Sequence, residues 1–348
     1  MDAEDVPLIP VRTVGITFNL KTGHGEEEEE YDPLETILAL KSEIERYGFD
    51  VLLFNQDDLF LESLSKNRPD FVLNIAEGRG NTRSREAQVP CILESLGIPY
   101  SGSDALALGM TLDKYTTGQF LRARGVAVPG QFVVNRLDRL EDPMLEALFL
   151  ENRRYIVKPR WEGSSKGVFA DSVVANLSQL KERARFILKR YDEPALVEEF
   201  LPNDEVTVAV AGNQRPRTLG IMRILPRGEV GGVFLYSIER KRQWRECMRY
   251  ENGDALPLEV RRTIEAEALK AYEALELRDL ARIDLRLDWD GMPRVIDVNP
   301  LPGLNPEFGD LPILFELNGG DYPSLIRILL EEAFSRCGLL WAESCRHA

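Results

Sequence analysis

Histidine and cysteine are scarce in this 348-residue chain: there are two histidines, His24 and His347, and four cysteines, Cys91, Cys247, Cys337 and Cys345. A Ser-His-Asp hydrolase or a histidine-built metal site therefore has little support. No cysteine pair has C-x-x-C spacing, so the scatter reads as reduced thiols rather than a disulfide framework. Cys337, Cys345 and His347 leave only a weak tail site. Long apolar runs are missing too, which leaves no transmembrane helix. The start, "MDAEDVPLIP", is acidic where a secretory leader is basic, so a cytoplasmic chain is expected. Positive charge is in deficit: a formal net charge of -15 argues against nucleic acid or an anionic membrane as the main partner. Neither a Walker A pattern nor a G-x-G-x-x-G after the first strand occurs. Any bound phosphate must be held by local basic groups against an acidic background.

What is present is an ordinary globular composition, 44% apolar and 29% charged, on a length suited to two or three domains. "TVGITFNL", "FDVLLFN", "DFVLNIA" and "IPYSGS" read as strands separated by helical segments such as "PLETILALKSEIERYG", an order that implies a parallel sheet over roughly the first hundred residues. A helix, "DALALGMTLDKYTTGQFLRARG", opens a small α+β block, and a strand-rich block follows from "DEVTVAVAGN", finishing with the helix "YPSLIRILLEEAFSRCG". The run "EEEEE" at 26–30 reads as a solvated, extended loop because like charges repel.

The chemistry concentrates in "ARIDLRLDWDGMPRVIDVNPLPGLNP" at 281–306. Two alternating runs flank Asp290-Gly291, a strong hairpin signal. With a turn of two or four residues, Asp284 faces Asp297 and Arg282 faces Asn299, all on one side. Opposed carboxylates need a cation between them; two acids and an amide oxygen suit Mg²⁺, with Mn²⁺ an acceptable substitute. The plainer alternative, a surface hairpin whose acids are neutralised by Arg282 and Arg286, stays open on the hairpin alone. A three-residue loop would slip the register by one and remove the argument.

A second cluster is "YIVKPRWEGSSKG": an apolar strand ending at Lys158, then a loop with Gly163, Ser164, Ser165 and Gly167 whose N–H groups can wrap an anion. Downstream, "LVEEFLPNDEVTV" sets Glu198, Glu199 and Glu205 around an apolar Phe200-Leu201 linker, where backbone groups can read a base edge and an acid can accept from ribose hydroxyls. Taken singly, the first is better explained by a turn and the second by a domain linker.

In this order, with "NIAEGRGNTRSREAQVPCILESLGIPYSGSDALALGMTLDK" before them, the segments resemble the D-alanine–D-alanine ligase-like branch of the ATP-grasp superfamily over nearly the whole chain. The resemblance implies an α/β and α+β, three-domain ATP-grasp fold: an N-terminal parallel-sheet domain at 1–104, a central subdomain at 105–200 and a C-terminal subdomain at 201–348. It implies ATP on Lys114, Lys158, the Gly163–Gly167 loop, Glu198, Glu199, Phe200, Leu201 and Glu205, and metal on Asp284, Asp297 and Asn299. Arg282 and the Gly303 N–H are implied to stabilise an oxyanion, Ser164 to be the substrate-loop serine and Lys241 a mobile-loop lysine. The implied reaction is ATP-dependent amide formation through an acylphosphate, on amino-acid or small-peptide substrates, by a homodimer. Departures fall where substrate is read. The early Gly-Gly-x-Ser-x-Glu pattern is missing, leaving Glu30 or Asp32 as substitutes; Arg242 stands where a tyrosine is expected, and Phe308 where a hydroxyl residue holds the second substrate. A ligase for other amino acids or peptides, and a nucleotide-binding module that has lost catalysis and acts through a partner, are the alternatives.

Overall fold

The computed structural model describes residues 9–23, 25–149, 153–228 and 234–341. Cys345 and both histidines lie outside the described residues, and the candidate tail site with them.

Strand β1 (Ile9–Val11) leads into β2 (Thr13–Phe18), β3 (Asp50–Asn55) and β4 (Phe71–Asn74), which form a parallel sheet in the order β3-β2-β4. The expected fourth strand at "IPYSGS" is reduced to a single bridge between Val72 and Tyr100. Pro99 has no N–H to give to the ladder, and the left-handed Gly102 (φ 84°) turns the chain away. The helix Leu34–Arg46 buries Ile37, Leu40 and Ile44, three to four residues apart, against β2 and the C-terminal helix Tyr322–Cys337. That last helix starts at Asp321, whose side chain caps Ser324 N at 2.8 Å, and stops at the left-handed Gly338.

A second, antiparallel sheet consists of β5 (Gln131–Val134), β6 (Tyr155–Pro159), β7 (Val173–Val174) and β8 (Ala195–Glu199) in the order β5-β8-β6-β7, backed by the helix Leu177–Arg190. The third sheet holds β9 (Glu205–Ala211), β10 (Arg217–Pro226), β11 (Met248–Asn252), β12 (Leu280–Leu287) and β13 (Pro293–Asn299), in the order β11-β10-β9-β12-β13. One of its faces packs on the helix Leu258–Ala274; the other shares the core of the first sheet. Strand β14 (Leu339–Trp341) returns to pair with β1. No helix among the described residues is long and apolar enough to cross a membrane.

Two sequence expectations fail for local reasons. The helix foreseen across 104–125 is two helices, Ala105–Leu112 and Lys114–Ala123. Asp113 breaks it by capping Thr116 N at 3.0 Å and taking both arms of Arg160 at 2.7 Å each. The glutamate run is not a solvated loop: Glu26–Glu28 form a 3-10 turn, and four of the five side chains accept hydrogen bonds. Glu26 accepts from Gly167 N (3.0 Å), Glu28 from Thr22 N (2.6 Å), Glu29 from Arg242 (2.8 Å) and Glu30 from Arg85 (2.7 Å). Cationic and N–H partners outweigh the mutual repulsion.

Candidate active site

The hairpin turn has three residues. Asp288 N donates to Met292 O (2.9 Å) and Gly291 N to Asp288 O (3.0 Å), with Gly291 left-handed at φ 76°. This corrects the even-numbered turn taken from the sequence, and near the turn the register is slipped: Leu285 faces Val295. A β-bulge then inserts Ile296, and beyond it Asp284 faces Asp297 and Arg282 faces Asn299. The bulge restores the alignment that the loop displaces, so the four side chains share one face after all.

The charges on that face are matched by cations of the chain itself. Arg282 clamps Asp284 with Nε and Nη2, both at 2.9 Å, and reaches Asp310 with Nη1 at 3.0 Å. Thr207 Oγ1 (2.6 Å) and Asn299 Nδ2 (3.0 Å) also donate to Asp284. Burial pushes the Asp284 carboxyl up, but Arg282 and Thr207 outweigh it and hold the group below the usual carboxylate range. Lys114, first residue of the helix that Asp113 caps, places Nζ 2.7 and 2.9 Å from the Asp297 oxygens. Arg286 does not neutralise these acids as the plainer hairpin reading supposed; it pairs with Glu205 at 2.9 Å.

Two cavities, of about 420 and about 120 Å³, meet at this face. Lys114, Ser164, Tyr236, Lys241, Arg282, Asp297 and Asp310 line both. The smaller one runs along β6, β8 and the linker. Lys158 Nζ lies 3.1 Å from Glu198, whose other oxygen accepts from Gln131 at 2.7 Å. Phe200, Leu201, Glu199, Glu205, Ser165 and Asp284 complete its wall, with Phe200 and Leu201 buried. Arg286 Nε donates to the Leu201 carbonyl at 2.6 Å, and burial pushes the Glu205 carboxyl up to about 7, only partly offset by Arg286. In the Gly/Ser loop, Ser164 (φ 48°) and Ser165 (φ 58°) are both left-handed, a conformation costing about 1–2 kcal/mol for a residue with a Cβ. Gly167 lines neither cavity; its N–H is taken by Glu26.

The larger cavity is lined by Glu30, Asp32, Gly163, Arg242, Asn299, Gly303 and Phe308. Glu30 is tied to Arg85 and accepts from Gly163 N at 2.5 Å; Arg242 is held by Glu29. Lys241, on the helix Ile238–Arg242, lies 3.5 Å from Asp310. The wall also carries Glu77 and Glu86, which the sequence reading did not single out. Burial, then Glu30, push the Glu86 carboxyl up to about 8; burial, then Glu86, raise Glu77 well above its ordinary value. Asp310, Thr207 and Tyr236 were missed as well. Their signal is thin: each is one polar residue in an apolar or loop segment, and only the tertiary fold brings it to the site.

Among the described residues no three His, Cys, Asp or Glu side chains gather closely enough to hold a metal by themselves. Asp284 and Asp297 with the Asn299 amide are a hard-oxygen set short of a full shell, which fits an ion that takes its remaining ligands from water and phosphate.

An acid-paired strand face between a narrow polar cleft and a larger cavity, on this three-sheet frame, defines an ATP-grasp ligase, an ATP-dependent enzyme that forms carbon–nitrogen bonds. The family model described as D-ala D-ala ligase C-terminus matches residues 120–331, and the chain belongs to the D-alanine–D-alanine ligase family. The D-alanine–D-alanine ligase of Haemophilus influenzae is 31% identical over 260 residues, covering 74% of this chain and 82% of that protein. A Sinorhizobium fredii protein, y4sG, is 28% identical over 305 residues, covering 84% of this chain and 85% of its own. In structure, the chain is similar to the Bacillus anthracis D-alanine–D-alanine ligase complexed with ATP, with a TM-score of 0.72, 22% identity and coverage of 94% of this chain and 98% of that one.

Proposed function

We propose that this enzyme activates the carboxylate of a small amino acid with the γ-phosphoryl group of ATP and joins it to the amine of a second amino acid or small peptide. The observation that carries the reading is the shared wall of the two cavities, where Lys114, Arg282 and Asp297 sit between the cleft that suits a nucleotide and the cavity that suits an amino acid. In this reading Lys114 and Lys158 hold phosphates. The Ser164–Ser165 turn covers them, and the linker from Glu198 to Leu201 holds the base, with Glu205 on the ribose. Asp284, Asp297 and Asn299 would hold Mg²⁺, which supplies positive charge against the phosphates that repel an attacking carboxylate. Arg282 and the Gly303 N–H would stabilise the tetrahedral oxyanion, a contribution of about 3 kcal/mol per donor. The relatives' names make D-alanine the first substrate to test.

A second reading, a different amino acid or peptide on the same machinery, is favoured by two observations. Phe308 is 48% exposed at the cavity, offering no hydroxyl, and Arg242 is engaged by Glu29 rather than free for substrate. We further propose that the partition 1–104, 105–200 and 201–348 describes the domains, with the helix pair at 105–123 leaning on the third sheet through Ala107 and Leu121. Asp297→Asn tests the reaction: it should abolish amino-acid-dependent ADP release, and unchanged ADP release would refute the metal assignment. A nucleotide-binding module acting through a partner would lose nothing by the change. Arg242→Tyr with Phe308→Ser tests substrate choice; unmoved specificity would remove those positions from the account.

A further inference from the structure

Among the acids of the larger cavity that the mechanism does not use, Glu77 and Glu86 stand apart. Every lysine and arginine on its wall is ion-paired within the chain, Lys114 with Asp297 and Arg242 with Glu29 among them. Glu77 and Glu86 form no ion pair or hydrogen bond among the described residues; Arg85 acts on both and Lys114 on Glu86 from a distance, but those cations are bound to Glu30, Glu162 and Asp297. Glu86 is only 8% exposed, and the surface it keeps faces the cavity. Glu77 follows the C-terminal end of β4, at the edge of a parallel sheet where open α/β folds bind ligands. Glu30 and Asp32 add further negative charge to the same end.

Isolated carboxylates out of water are costly unless paired. The other acids of this cavity have a cation of the chain or, for Asp32, the Thr36 hydroxyl beside them; Glu77 and Glu86 have neither, so they hold protons until a group that brings positive charge and N–H donors completes the site. Glu30, one of the two substitutes for the missing early glutamate, is already committed to Arg85 and the Gly163 N–H. A pair of carboxyls suits one cation with several N–H donors, an ammonium or a guanidinium, and about 420 Å³ leaves room for a long side chain to carry it.

Building on the ligase reading, we propose that Glu77 and Glu86 form a subsite for the side-chain cation of a basic amino acid, one that carries an ammonium or guanidinium group beyond its α-amino group, and that this amino acid is the one whose carboxylate is activated.

Calorimetric titration of the full chain with Mg²⁺-ADP present, using ornithine and its neutral isostere norleucine in both enantiomers, reads the subsite without turnover. One enantiomer of ornithine should bind roughly 10- to 100-fold more tightly than norleucine, the range of a charge-assisted contact. Glu77→Gln and Glu86→Gln should each remove about ten-fold of that preference while leaving norleucine binding within about two-fold. Both substitutions relieve repulsion, so folding is not at risk, and the wild-type preference needs no variant. Equal binding of the two ligands, binding of neither, or a preference that survives both substitutions would overturn the proposal. ADP release measured alongside separates the two levels. Turnover with neutral amino acids at an equal KM leaves the ligase and removes the subsite, whereas ornithine-selective binding with no turnover on any pair leaves the subsite and removes the ligase reading.

Discussion

Arg286 fastens the linker to the third sheet. Nε donates to the Leu201 carbonyl at 2.6 Å, Nη1 to Glu205 at 2.9 Å and Nη2 to the Phe234 carbonyl at 2.6 Å, while the guanidinium lies 4.6 Å above the Phe200 ring. Only 4% of the side chain is exposed. Arg286→Met keeps the stem and deletes three charge-assisted hydrogen bonds, and it leaves two carbonyls and a carboxyl without donors. Burial already pushes Glu205 up to about 7, so in the variant it can take a proton rather than stay as a bare charge, which caps the cost. A loss of about 3–5 kcal/mol is expected. Urea denaturation reads it as a lower midpoint at an unchanged slope. Arg286→Lys should recover little, because a single ammonium cannot reach three acceptors in the plane of a fork. Weaker binding of a non-hydrolysable ATP analogue should accompany both changes. A variant within about 0.5 kcal/mol of the parent, with nucleotide binding intact, would refute the idea that this arginine shapes the cleft.

Other outcomes follow from the same geometry. Asp113→Ala should cost about 2–4 kcal/mol, from a lost cap and a lost bidentate pair, and should raise the KM for ATP because Lys114 loses its anchor; a thermal melt and a nucleotide titration check it. Gly167→Ala puts a Cβ 2.3 Å from Pro159 Cγ at a φ of 71°, so it should lower stability by more than about 2 kcal/mol, and an unchanged melting temperature would contradict that. Glu205 and Glu86, pushed up to about 7 and about 8 from 4.5, bind protons in the folded chain that the unfolded chain has released. Stability should therefore fall as pH rises from about 4.5 to 8, by up to about 3 kcal/mol for Glu205. Glu205→Gln should flatten that decline, and stability that climbs through the window would show the sign to be wrong.

The sequence carried the frame well where one physical signal dominated. Alternation marked β12 and β13, and helical spacing marked Leu34–Arg46 and Tyr322–Cys337, because each buries one face. It carried the site less well where two local effects compete. The opposition of Asp284 and Asp297 was expected from an even turn, yet it arises from an odd turn and a bulge at Ile296, and alternation reports neither. Asp113 inside an apolar run reads as helix, and only its pairing with Arg160 shows why it ends one helix and starts another. The glutamates at 26–30 look solvated because their partners, Arg85, Arg242 and the loop N–H groups, are distant in sequence. Glu77 and Glu86 had no pattern to reveal them; that one is half-buried and the other buried, both without an ion pair, is a property of the folded cavity alone.

The central claim is that a carboxylate is activated by phosphoryl transfer. Substrate amino acid labelled with ¹⁸O in its carboxylate, incubated with Mg²⁺-ATP and an acceptor amine, tests it directly. When carboxylate oxygen attacks the γ-phosphorus, ADP leaves, and when the amine displaces the acylphosphate, phosphate leaves with one carboxylate oxygen. The account predicts ADP and inorganic phosphate carrying one ¹⁸O per amide formed. AMP with pyrophosphate, or phosphate free of the label, would contradict it.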